Sequence, residues 1–262
     1  MGASSAVLLG LAGVLYGLDK SLAPGAGMLA VAFLAGVIPA HEATGVTLLM
    51  AIVADWSAIW AYRKNVSTRS LTRLLPFALI GIACGAAYLF VADDTSMKRV
   101  IGVILAVFVG MYFVNLGREK LAAGRGSVAN KADAAAAAEP IENPTFALIK
   151  RVGCGALAGF TTMVANAGGP VTAIFFLSEK LSVLDFLGTT AWFYLIANLV
   201  KLPFSIGLGM ITPQLALSIV WIAPVILLTV VTGRAIAKRV DKGAFTVLVY
   251  VLSIAAVVKL FL

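Results

Sequence analysis

The chain has 262 residues, of which 61% are hydrophobic and only 12% charged, and its mean hydropathy is +1.02. Such values exclude a soluble globular domain and define an integral membrane protein whose membrane region is the protein itself, with no separate catalytic domain left over. A net charge of +8 would suggest nucleic acid in a soluble chain, but most of the basic residues here fall in loops between apolar segments, where they act as topology determinants.

No basic stretch precedes the first apolar run and no small-residue cleavage site leads into a soluble domain, so the first segment is expected to stay rather than be removed as a signal peptide. Residues 4–38 are too many for one crossing and are interrupted by KSLAPGAG at 20–27, which reads as two short helices around an irregular turn. Spans close to the ~20 residues that a crossing requires follow at 44–62, 74–91 and 100–117. The polar, alanine-rich stretch 118–143, containing ANKADAAAAAEPIENP, is a linker. Residues 146–181 form a second interrupted region, broken by NAGGP at 166–170, and spans at 189–206, 213–233 and 244–262 complete the chain. The expected organisation is a first transmembrane repeat at 1–117, a cytoplasmic linker at 118–145 and a second repeat at 146–262.

Basic residues set the sides. Arg63, Lys64, Arg69 and Arg73 follow the first full span, Lys150 and Arg151 close the linker, and Arg234, Lys238, Arg239 and Lys242 fill the last loop. The positive-inside rule puts all three in the cytoplasm and both termini outside. The halves also match in order: GLDKSLAPGAG with GFTTMVANAGG, EATGV…IVAD with DFLGT…LIAN, and LPFALIGIACG with APVILLTVVTG. Because the span at 44–62 then runs inward and that at 189–206 outward, the fold class is an all-α polytopic membrane protein of two inverted-topology repeats. Each repeat is a broken helical hairpin plus three transmembrane helices, giving eight to ten hydrophobic segments. A count of eight, with each broken region crossing once, makes the repeats parallel and forces the last basic loop outside, against the same rule. Whether each broken region is a re-entrant hairpin or two short crossings is open at this level.

The breaks carry the chemistry. Pro170 needs no amide donor and is pre-set for helix, so a short helix starts there with its exposed amides lining the break. Irregular backbone at membrane depth is tolerated in a protein interior or a water-filled cavity, and a helix N-terminus there attracts an anion. Gly168 and Gly169 in one half, with Gly25 and Gly27 in the other, let a ligand approach the backbone. The plainer role of such glycines is close helix packing, but two breaks at corresponding places point to a transporter binding site.

Charges inside apolar segments support that reading, since they are costly in a membrane without a purpose or a partner. Lys20 borders the first break between Asp19 and Ser21; Asp55 lies mid-span, and Asn198 stands at the equivalent place in the other half, three residues before Lys201. Thr190, Tyr194, Asn198 and Lys201 share one helix face. Simpler roles exist for each: Lys201, before Pro203, could reach the interface, Asp19 and Lys20 could form a local pair, and Asp55 could bond neighbouring helices. Asp55 and Glu42 are the candidate proton carriers. His41 is placed in an outer loop, and Cys84 and Cys154 read as small core residues with no metal or disulfide spacing. No catalytic triad, paired carboxylates, phosphate loop or metal-ligand cluster is present, so neither an enzyme nor a cofactor is expected.

The block from KSLAPGAG to SLTRLLP and the block GFTTMVANAGGPVTAIFFLSEKLSVLDFLGTTAWFYLIANLVKLPFSIGLGMITP resemble the two repeats of the sulfite exporter TauE/SafE family. The resemblance covers nearly all of the chain except the linker. The first block carries APGAG where many members have three glycines in a row. The resemblance implies a secondary transporter in a bacterial inner membrane, moving small anions such as sulfite, sulfonates or related organosulfur compounds. Lys20, Ser21, Gly25, Gly27, Thr161, Thr162, Asn166, Gly168, Gly169, Asn198 and Lys201 are then the substrate-binding candidates. Partners are the small anion, protons and the lipid bilayer, with no nucleic acid. A passive anion channel and a non-transport scaffold subunit are the rival expectations.

Overall fold

The computed structural model describes residues 3–22, 26–35, 38–92, 96 and 144–240. The spans expected at 100–117 and 244–262, most of the linker, and Pro24 and Gly25 lie outside the described residues. Those residues form eight helices and no strand: α1 Ala3–Ser21, α2 Ala26–Ala35, α3 Ala40–Tyr62, α4 Thr68–Val91, α5 Pro144–Ala165, α6 Gly169–Ser178, α7 Val183–Gly207 and α8 Pro213–Ala237. Five helices are long and apolar enough to cross a membrane, at His41–Tyr62, Thr68–Val91, Leu148–Ala165, Val183–Gly207 and Pro213–Ala237.

Several helices start earlier than their apolar cores. Ser67 and Ser182 cap α4 and α7 by accepting the backbone N–H of Ser70 and Asp185, which draws polar first turns into these two helices, while α8, capped by Thr212, starts at Pro213 as expected. α3 starts at Ala40, after Pro39 and with no side-chain cap, and His41 and Glu42 sit in its first turn rather than in an outer loop. Cys84 is exposed on α4 and Cys154 is half-buried, so the expectation of two core cysteines is not met.

The interrupted regions are asymmetric. α1 has 19 residues and α5 has 22, whereas α2 and α6 have 10 each. At about 1.5 Å per residue the short arms span ~15 Å, half of a hydrocarbon core, and the first arms are nearly full length. The expected pair of short helices is thus corrected to one long arm and one short arm. Gly17 and Gly159, inside the long arms, do not break them, because packing fills the space that a side chain would take. A Cβ at Gly159 would overlap the Ala78 carbonyl, and one at Gly17 would run into the Thr229 side chain.

The second break is built by local backbone chemistry. Asn166 adopts φ 50°, a left-handed conformation that asparagine tolerates better than most residues. Its N–H donates to the Thr162 carbonyl at 3.1 Å and the Ala167 N–H to the Thr161 carbonyl at 3.2 Å. The first of these bonds is the αL closure of a helix end, with asparagine in the place of the usual glycine, and the second satisfies one more carbonyl of the last turn. Gly168 caps α6, and Pro170 stands in its first turn, where a missing N–H costs nothing.

Packing joins the two halves reciprocally. The main neighbour of α1 is α8 and that of α4 is α5, while α3 packs on both α7 and α8. Along the α1–α8 seam Gly13 meets Ile222, Gly17 meets Thr229 and Ser21 meets Gly233, so these helices run in the same direction. Gly155 against Phe77 and Met163 against Gly85 give α4 and α5 a shared direction too. α3 and α7 run antiparallel: Asn65, just past α3, donates to Asp185 at the start of α7, and Gly45, near the start of α3, abuts Met210 beyond the end of α7.

These contacts fix how the hairpins open. Gly155 in α5 lies beside Leu74, and Glu179 at the end of α6 bonds Ser70 and Arg73, so both outer ends of this hairpin lie at the start of α4. α1 ends beside Tyr62 and Gly233, the ends of α3 and α8, and α2 returns toward the start of α3. The first hairpin therefore opens toward one end of the bundle and the second toward the other. Arg234 lies 5.8 Å over the Tyr62 ring, which brings the basic loops after α3 and α8 to the same end.

Candidate substrate site

The two breaks converge on one cavity of about 30 Å³, room for about two ordered waters where one needs ~10–15 Å³. Tyr16, Asp19, Lys20 and Gly27 reach it from the first hairpin, and Thr162, Asn166, Gly169 and Thr172 from the second. Thr190, Tyr194 and Asn198 of α7 close the wall between them.

A chain of buried polar groups runs along this wall. Lys20 Nζ lies 3.1 Å from Asp55 Oδ1 and 3.3 Å from Asp19 Oδ2, and it sits 3.9 Å above the Tyr194 ring centroid, a cation–π distance. Asn198 Nδ2 donates to Asp55 Oδ2 at 2.7 Å. Lys201 Nζ donates to Asn198 Oδ1 at 3.1 Å, to Thr162 Oγ1 at 3.3 Å and to Asn166 Oδ1. Asn166 in turn donates through Nδ2 to the Thr44 carbonyl at 3.1 Å and to Thr47 Oγ1 at 3.0 Å. One network thus ties α1, α3, α5 and α7 together around two ammonium and two carboxylate groups. Burying such groups is tolerable only when they are mutually satisfied.

The placements sort the candidates. Lys20, Gly27, Thr162, Asn166, Gly169 and Asn198 line the cavity. Lys201 stands directly behind Asn166 and Asn198 and is 1% exposed, so it is a core cation rather than one reaching the membrane interface, and α7 continues past Pro203 to Gly207. Ser21 and Thr161 bond carbonyls of their own helices, at Gly17 and Leu157. Gly168 packs its backbone against α5, since a Cβ there would fall 2.9 Å from the Ala158 carbonyl. The Gly27 N–H is held by Asp19 Oδ1 at 3.1 Å. Glu42 lies beside His41, 4.0 Å away at the start of α3. Gly25 lies outside the described residues.

Tyr16, Thr47 and Thr172 join the site without having been singled out from the sequence. Tyr16 is one helical turn before Lys20, a spacing that could have found it. Thr172 binds the Tyr194 hydroxyl at 2.8 Å, a pairing between distant segments that no local pattern announces. Thr190 is buried with its Oγ1 unpartnered among the described residues, leaving a hydroxyl at the cavity wall.

Helices of membrane-crossing length around a buried, charged, hydrogen-bonded cavity define a multi-pass membrane protein of the transporter kind. The family model of the sulfite exporter TauE/SafE matches residues 9–260, and the chain belongs to that family. It is a family of membrane transporters of sulfite or related compounds rather than of enzymes. No curated protein and no solved structure matches the chain.

Proposed function

We propose that the protein is a secondary transporter that carries a small sulfur oxyanion, sulfite or a compact sulfonate, across the bacterial inner membrane by alternating access. The observation that carries this reading is the convergence of two oppositely opening hairpins on one cavity that holds Lys20. The reciprocal packing of α1 on α8 and α4 on α5, with antiparallel α3 and α7, supports two inverted-topology repeats at 1–117 and 146–262 joined by a linker. The common end of the α3 and α8 loops supports a cytoplasmic face there.

Lys20, Asn198, Thr190 and the amide of Gly169 would meet the anion's oxygens, with Lys201 adding positive potential from behind Asn166. The cavity's size favours a small anion over a bulky organic one. An arriving anion competes with Asp55 for Lys20, and a carboxylate deprived of its cation in a dry interior takes a proton. Coupled proton movement therefore falls to Asp55, and Glu42, away from the cavity, is the weaker carrier. Rocking one repeat against the other would expose the cavity alternately to each side.

Reconstitution in liposomes with sulfite, thiosulfate, sulfate, sulfoacetate and taurine, with and without a pH gradient, tests the reading. Saturable counterflow of a sulfur oxyanion is the expected result. Flux without counterflow would indicate a channel, and no flux together with no thermal stabilisation by any of the five would end the sulfur-anion assignment.

A further inference from the structure

A second cavity, of about 270 Å³, lies at the end of the bundle where α3 and α8 both finish. Its wall is Trp60, Ala61, Arg63, Lys64, Asn65 and Arg234. Three of these six side chains are cations and none is a carboxylate. The Nε of Arg234 is buried and has no hydrogen-bond partner among the described residues. A guanidinium N–H removed from water without an acceptor is a standing cost, and it is relieved by an oxygen-rich anion. Tyr62 fixes the position of this group from below, its ring 5.8 Å from Arg234 Cζ. Asn65 is held in the wall by its bond to Asp185 at 3.3 Å.

The C-terminal carbonyls of α3 and α8 together bring about one negative charge to this end, and the Asp185 carboxylate beside Asn65 another, which three cations exceed. The cavity also lies at the membrane boundary, since Arg234 is in the last turn of α8 and Trp60, 64% exposed, is in the last turn of α3. Indole rings favour the headgroup level, and basic pockets between helices on the cytoplasmic side suit anionic lipid headgroups.

We propose that this cavity is a phosphate-binding site, separate from the central one, in which Arg234, Arg63 and Lys64 hold the oxygens of a phosphate group from an anionic phospholipid or a soluble phosphate. The guanidinium of Arg234 supplies the paired donors that phosphate oxygens match, and Lys64 acts as a point charge. Trp60 covers the acyl side of the opening.

The test is the melting midpoint of the full-length protein in neutral detergent, titrated with phosphatidylglycerol, phosphatidylcholine or inorganic phosphate. Phosphatidylglycerol or inorganic phosphate should raise the midpoint where phosphatidylcholine does not. Loss of one charge-assisted contact in Arg234→Gln should weaken that effect about tenfold or more. Lys64→Gln, on an exposed side chain, should weaken it in the same direction and guards against a folding defect in the first variant. Saturation by inorganic phosphate alone assigns the site to soluble phosphates, and stabilisation by the lipid that millimolar phosphate does not compete away assigns it to headgroups. Absence of stabilisation by both ligands, or stabilisation that both variants leave unchanged, overturns the proposal.

Discussion

Asp55 accepts a 2.7 Å hydrogen bond from Asn198, which joins the middle of α3 to the middle of α7. Lys20 binds Asp55 directly and Asp19 beside it, while Lys201 binds Asn198 behind Asp55. Removing one member of such a network strands the rest. Asp55→Ala should destabilise the protein by about 3–5 kcal/mol, the cost of leaving a buried charge unpaired, partly offset by Asp19. The double variant Lys20→Met/Asp55→Leu should recover much of that loss while remaining inactive in transport. Denaturant titration in detergent measures both, and a double variant no more stable than Asp55→Ala would show that the two groups are not coupled.

Asp55→Asn keeps the size of the side chain and can still accept from Asn198. If Asp55 carries the coupled proton, counterflow of substrate should persist in this variant while accumulation driven by an imposed pH gradient is lost. Equal loss of both activities would move Asp55 from coupling to binding.

Asn166 has two jobs that substitution separates. Asn166→Gly retains the left-handed backbone at φ 50° and removes the bonds to Lys201, Thr44 and Thr47, whereas Asn166→Ala removes the bonds and strains the turn. The alanine variant should therefore be the less stable of the two, by about 1 kcal/mol, the usual penalty for a non-glycine residue in that region. Both should lose substrate affinity by a similar factor. Thermal unfolding and initial uptake rates distinguish the jobs, and indistinguishable melting midpoints would show that the turn carries no such strain.

Glycines of the long arms differ in what surrounds them. Gly159→Ala drives a methyl into the Ala78 backbone of α4, while Gly153→Ala meets nothing within 4 Å. The first should cost about 3 kcal/mol or more, as overpacking does where backbone must move. The second should be neutral, or stabilising by up to ~1 kcal/mol from helix propensity. Melting midpoints of the two variants make the comparison directly.

What could be read in advance follows from which forces are local. Hydropathy and loop charge mark the crossings and the common end of the two basic loops, because lipid solvation acts segment by segment. The break at Asn166 to Pro170 is equally legible, since a left-handed asparagine, two glycines and a proline set it through their own backbone preferences. The site around it is legible only in part. Lys20, Asn166 and Asn198 announce themselves as polar groups in apolar runs, whereas the bond between Thr172 and the Tyr194 hydroxyl depends on tertiary approach. Helix starts at α4 and α7 are not legible because a capping serine recruits a polar turn. The long first arm of each hairpin is not legible because glycines such as Gly17 and Gly159 read as breaks until a neighbouring helix is seen to fill the space beside them.

The seam of α1 against α8 has a consequence for biogenesis. The groove that receives α1 is made by α8, which follows it in the chain after the other six described helices, so α1 enters the bilayer with its partner surface still on the ribosome. Gly13 and Gly17 must wait in lipid for Ile222 and Thr229. Each half on its own should be short-lived, and two fragments cut within the polar linker should rescue one another when co-expressed.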